Sequence, residues 1–217
     1  MWNYTLSRDK LTLDPEIISQ IHTGPTKQYH KEYERANHLL DSLARDAAEW
    51  LEQHGCNAKA FAATNEGVDP KTHSTCLPHK TVATRAGVGW IGKCALLVTE
   101  AYGSAIRLTK VLTDAKLPIA SPVTESQCGD CSACVEACPG HAPTGKGWHI
   151  DSPRNAFFDA FACRKKARQL ALERTGIEES FCGICIAVCP WTQKYLSKST
   201  QPGAPPDPQR PPAFSGR

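Results

Sequence analysis

Residues 128–139 read Cys128-Gly129-Asp130-Cys131-Ser132-Ala133-Cys134-Val135-Glu136-Ala137-Cys138-Pro139, and residues 182–190 read Cys182-Gly183-Ile184-Cys185-Ile186-Ala187-Val188-Cys189-Pro190. The first stretch spaces four cysteines at intervals of two, two and three residues, and both stretches close on proline. Three thiolates at three-residue steps can curl around one face of a compact inorganic cluster. The next cysteine lies beyond a tight turn and points away, toward a second cluster. Proline after the last cysteine ends the local turn and removes one backbone donor.

Working outward, eight of the eleven cysteines lie between Cys128 and Cys189, while Cys56, Cys76 and Cys94 fall outside. The eight divide without remainder. Cys128, Cys131, Cys134 and Cys189 make four ligands for a first 4Fe-4S cluster, and Cys138, Cys163, Cys182 and Cys185 make four for a second. This is the interleaved pattern of two-cluster bacterial ferredoxins, in which the fourth cysteine of a run serves the other cluster. Structural zinc would show paired CxxC motifs or cysteine–histidine mixtures, and His141 and His149 read better as surface residues than as ligands. A disulfide scaffold would show an even count in a short chain behind a signal sequence, and neither holds. One feature departs from a plain ferredoxin. Cys163 sits on a predicted helix well ahead of Cys182, so a helix has been inserted between the motifs. Phe157, Phe158, Phe161, Ile184, Ile186, Val188 and Trp191 would wall the clusters from water, or serve as ordinary core.

The rest of the 217-residue chain is that of a globular protein of one or two domains, 41% hydrophobic, 22% charged and with a formal net charge of +3. Its apolar runs fall far short of the ~20 residues that span a bilayer, and its start, MWNYTLSRDK, lacks a signal stretch. A cytoplasmic protein without membrane or DNA partners is the expectation. Residues 1–28 look irregular. Tyr33, Ala36, Leu40, Leu43, Ala47 and Trp50 recur at helical steps, predicting an amphipathic helix over 29–54 that Gly55 stops. A weak strand is expected over 56–63, then a hairpin of 95–99 with 105–113. Asp151 or Ser152 is expected to cap a helix opened by Pro153 and running to Thr175. Residues 201–217 hold six prolines and read as an extended tail. Arg164, Lys165, Lys166 and Arg168 make a basic helical stretch, usually a solvated face, with RNA contact as the alternative.

Gly87-Val88-Gly89-Trp90-Ile91-Gly92 satisfies a dinucleotide-binding pattern, but a strand rather than a helix is expected to follow, so NAD is set aside. Such glycines let the backbone approach another segment or a large flat cofactor. With RAGVGWIGKCALLVTEAYGSAIRLTKVLTDAKLP (85–118), the two cysteine motifs and Tyr29-His30, this stretch resembles the epoxyqueuosine reductase family, relatives of the reductive dehalogenases. The likeness runs over about residues 29–196.

The resemblance implies an α+β chain. A compact α/β half of the nitroreductase-like, corrinoid-binding type over 1–120 would precede a ferredoxin-like double-cluster domain with an inserted helix over 121–196. A flexible tail over 197–217 would follow. It implies two 4Fe-4S clusters and cobalamin, the corrinoid lying against Gly87, Gly89, Trp90, Gly92 and Lys93. It further implies a low-potential donor of flavodoxin or ferredoxin type, and tRNA as a partner. Two departures stand out. The segment ahead of Tyr29 is short and no helical-repeat tail follows. His73-Ser74-Thr75-Cys76 occupies the place of the family's Asp-Ser/Thr-Ala-Pro, making His73 the candidate acid. The expected function is an iron–sulfur oxidoreductase acting through cobalamin on epoxyqueuosine or another small substrate. The alternative is a ferredoxin-like electron carrier without corrinoid.

Overall fold

The computed structural model describes residues 3–5, 11–64 and 67–199. The expected tail lies outside the described residues from position 200 onward. Residues 197–199 belong instead to a terminal helix.

Strand β1 (Asn3–Thr5) and strand β3 (Ala58–Phe61) flank strand β7 (Lys110–Thr113) in a three-stranded antiparallel sheet, with Ala58 opposite Thr113 and Phe61 opposite Lys110. Helix α2 (Lys27–Gln53) packs across it. Thr26 caps α2 by accepting from the Tyr29 amide at 3.1 Å. The buried face runs Glu32, Ala36, Leu40, Ala44, Ala48 at four-residue steps, and Ala44 and Ala48 bring the helix down onto Val111, Ala58 and Ala60. Trp50, expected in the stripe, is 58% exposed and stacks on His54 at 3.9 Å. Small side chains decide which face meets the sheet, and an indole would hold the helix away from it.

The segment expected to be irregular carries β2 (Leu11–Thr12) and α1 (Pro15–Ser19), the latter capped by Asp14, which accepts from the Glu16 amide at 2.8 Å. The hairpin lies elsewhere than expected. Strand β4 (Trp90–Ile91) pairs with β5 (Leu97–Val98) around a turn closed by the Ala95 amide on the Gly92 carbonyl at 2.8 Å. Strand β6 (Ile106–Arg107) pairs with β2, leaving β7 for the larger sheet. Alternation along 105–113 signals half-buried strands but carries no information about their partners.

The cysteine region is built from short pieces: α4 (Ala133–Glu136), a 3-10 turn (Arg154–Ala156), α5 (Ala160–Thr175), α6 (Ile184–Ala187) and α7 (Pro190–Ser199). Helix α5 is capped by Asp159, which accepts from Phe161 and Ala162, rather than by Asp151 or Ser152, and Gly176 in the left-handed region ends it. A continuous core joins this region to the front of the chain. Leu13, Ile18, Ile21, Tyr29 and Ala36 pack with Ala171, Phe181, Ile186 and Leu196. No described helix is long and apolar enough to cross a membrane.

Candidate iron–sulfur centre

A cavity of about 50 Å³ opens between α5, α6 and the end of the first cysteine motif. Cys138, Cys163, Cys182 and Cys185 line it together with Cys94, and Phe158, Ile184 and Pro143 form an apolar wall. Three of them show distinct local devices. Cys138 follows α4, and its sulfur accepts from the Ala142 amide at 3.5 Å. Cys163 stands on the first turn of α5, where its amide closes onto the Asp159 carbonyl at 3.1 Å. Cys182 accepts from the Ile184 amide at the start of α6. Burial pushes the Cys163 thiol up to about 11 and raises Cys182 as well, so thiolates form here only against a compensating cation. Iron supplies that charge, and amide N–H groups aimed at sulfur are the usual second layer of such sites.

A second group gathers around Cys128 and Cys189. Both pack against the apolar cluster of Trp90, Ile91, Ala95, Val98, Trp148 and Phe157. Cys189 sits directly ahead of α7 and accepts from the Trp191 and Thr192 amides, the free donors of that helix's first turn. Cys131 turns back on Cys128 through its amide at 3.1 Å, and the Lys93 ammonium donates to the Cys131 carbonyl at 2.9 Å. Among the described residues no three His, Cys, Asp or Glu side chains converge on one metal-ion position.

Cys94, which lines the first cavity, is 5% exposed at the tip of the β4–β5 turn and in side-chain contact with both Cys134 and Cys185. The sequence reading set it aside with Cys56 and Cys76. Only its place after the glycine loop could have flagged it. Lys80 of helix α3 (His79–Arg85) donates to the Ala95 carbonyl, and its ammonium interacts electrostatically with Cys94, Cys163 and Cys185. It is a cation set among thiols.

The glycine loop has a protein-facing job. A Cβ on Gly87 would stand 2.7 Å from the Ser121 carbonyl oxygen, and one on Gly89 would meet the Val98 carbonyl. A Cβ on Gly92 would fall 2.9 Å from Val98 Cγ2 and 3.6 Å from the Cys128 sulfur. Trp90 is 1% exposed and Lys93 8% exposed. Ser121 and Val98 thus crowd the glycine backbone on the side where a side chain would stand. His73 adopts a positive φ of 50°, its carbonyl accepts from Arg154 Nη1 at 2.7 Å, and its ring lies 4.3 Å from Phe161 on α5. The basic stretch is split. Arg168 pairs with Glu178 at 2.7 Å, Lys166 lines the cysteine cavity, and Arg164 and Lys165 are exposed.

Residues 127–192 match the family model of a 4Fe-4S double cluster binding domain. An epoxyqueuosine reductase of Synechococcus sp. (strain RCC307) is 30% identical over 204 residues, covering 94% of this chain and 57% of the relative. Its counterpart in Synechococcus sp. (strain CC9605) is 35% identical over 197 residues, covering 89% and 56%. The chain thus spans little more than half the length of these relatives. A reductive dehalogenase described for B12-dependent dehalogenation shares the fold, with a TM-score of 0.63 at 18% identity over 84% of this chain and 25% of its own.

Proposed function

We propose, starting from this likeness to the epoxyqueuosine reductases, that the chain is an iron–sulfur oxidoreductase relaying single electrons from a low-potential donor to cobalamin. In this reading Cys128, Cys131, Cys134 and Cys189 hold cluster I, and Cys138, Cys163, Cys182 and Cys185 hold cluster II. Residues 1–120 form a truncated corrinoid-binding α/β part and 121–196 the ferredoxin-like cluster-bearing part. When bound, the clusters supply one-electron chemistry at low potential.

The observation that carries the proposal is that Cys138 of the first motif meets Cys163, Cys182 and Cys185 in one cavity, which Cys94 also lines. That crossing-over is what an interleaved two-cluster assignment requires. The chain's own groups do the rest. Phe158 and Ile184 keep water out, Lys80 places positive charge beside the thiols, and amides of Ala142, Ile184, Trp191 and Thr192 aim at sulfur.

Cobalamin enters on the likeness to the B12-dependent dehalogenase, and Gly87, Gly89, Trp90, Gly92 and Lys93 are the positions that would meet it. The substrate class is the epoxide that the relatives' name states or another small electrophile, with tRNA as its carrier. His73 is the proton donor in this reading, fixed by Arg154 and Phe161. The protein-facing glycine loop favours a second reading, a ferredoxin-like carrier that docks on a partner enzyme and holds no corrinoid.

Titration of anaerobic protein with cob(II)alamin separates the two. Saturable conversion of the cobalt EPR signal from base-on to base-off at micromolar protein supports the reductase. No change in that signal leaves the electron carrier.

A further inference from the structure

Trp90 carries a hydrogen-bond donor with nowhere to give it. The residue is 1% exposed, and its Nε1 is buried without a hydrogen-bond partner among the described residues. An indole N–H is a donor only, and native interiors rarely leave one unpaired. The surroundings explain why no ordinary acceptor answers it. Trp90 meets Trp191 edge-on at 5.2 Å and 74°, and the other buried members of its apolar cluster are Ile91, Ala95, Val98, Trp148 and Phe157. Cys128 and Cys189 pack against the same cluster. These are the first and last cysteines of the set assigned to cluster I. A sulfur-rich group held by them would stand beside the unpaired donor.

We propose that the Trp90 indole N–H hydrogen-bonds to the sulfur shell of cluster I and raises its midpoint potential. The inference rests on the two-cluster reading above. Its physics is that a reduced cluster carries one more negative charge than an oxidised one, so a fixed N–H dipole aimed at its sulfurs favours the reduced form. The site is dry, which strengthens that interaction. The β4–β5 hairpin places the donor. Trp90 pairs with Val98, and the missing side chain at Gly92 lets the strand end come within contact of the Cys128 sulfur. Trp90 is therefore a tuning residue, and its apolar cluster holds Cys128 and Cys189 of cluster I and none of the four cysteines assigned to cluster II.

The test is a potentiometric titration of the anaerobic holoprotein followed by EPR, comparing wild type, Trp90→Phe and Trp148→Phe. Phenylalanine keeps most of the ring and removes the donor. Trp148, 8% exposed in the same apolar cluster, controls for lost packing. Trp90→Phe should retain full iron and move the cluster I midpoint to more negative potential, with cluster II unmoved, while Trp148→Phe leaves both where they are. An unshifted cluster I in iron-replete Trp90→Phe overturns the proposal. Should Trp90→Phe lose iron, wild type and the double variant Trp148→Phe/Trp191→Phe labelled with indole-15N tryptophan decide the matter. A 15N hyperfine coupling in reduced cluster I of both proteins supports the bond, and its absence from wild type overturns it. Wild-type protein that binds no cluster would bring down the two-cluster reading and this inference together. Replete wild type with an unmoved Trp90→Phe midpoint would bring down this inference alone.

Discussion

Lys110 is 1% exposed and has the His79 imidazole, not a carboxylate, beside its ammonium, at 3.2 Å from Nδ1, with the Phe61 ring centre at 4.3 Å. His79 Nε2 lies 2.9 Å from the Ala62 carbonyl oxygen, which can only accept, so Nε2 carries the proton and Nδ1 receives Lys110. Burial, with Lys110 second, therefore holds His79 down from 6.5 to about 4. Its consequence has a definite sign. Between those two values the unfolded chain binds a proton that the folded chain refuses, so folding stability falls as pH drops from 6.5 toward about 4 and is unaffected by this group above 6.5. Urea midpoints across that window should show a steeper acid loss in wild type than in His79→Gln, which keeps a donor and an acceptor without a titrating proton. Equal slopes would remove His79 from the account. None of this is legible in the sequence, where His79 and Lys110 are two polar residues far apart. Cys94 was hidden for the same reason, since a tertiary neighbour leaves no periodic trace. The two cysteine motifs stood out because coordination geometry limits such spacing.

At the scale of elements, the turn Tyr102-Gly103-Ser104 docks the first half of the chain onto the start of α7. The Ser104 amide donates to Thr192 Oγ1 at 3.1 Å, and Gly103, at φ 57°, lies so close that any Cβ would collide with the Thr192 backbone nitrogen. Thr192 is 0% exposed and its amide is one of those aimed at Cys189. Gly103→Ala should thus cost about 1–3 kcal/mol through overpacking in a strained backbone region, read as a lowered urea midpoint. An unchanged midpoint would show that the contact yields freely. The elements themselves were half legible. Helix α2 announced itself by period and by its caps, because both are local. The pairing of β7 with β3 and of β6 with β2 was missed, because alternating side chains fix a strand's faces and leave its neighbours to the fold.

Across the whole molecule, one core runs from Leu13 and Ile18 through Tyr29 to Phe181 and Leu196, so the cysteine region is packed against the scaffold instead of hanging from it. The glycine loop lies against the same region, a Cβ on Gly92 standing 3.6 Å from the Cys128 sulfur. The central claim is that eight cysteines, in two interleaved sets, hold two clusters. Iron and acid-labile sulfide analysis of anaerobically purified wild type and Cys163→Ala tests it most directly. The account predicts about eight irons and eight sulfides per wild-type chain. It also predicts loss of the cluster II EPR signal, with cluster I retained, in the variant. A wild-type count near one metal ion per chain, or Cys163→Ala with full iron and an unchanged reduced spectrum, would contradict it.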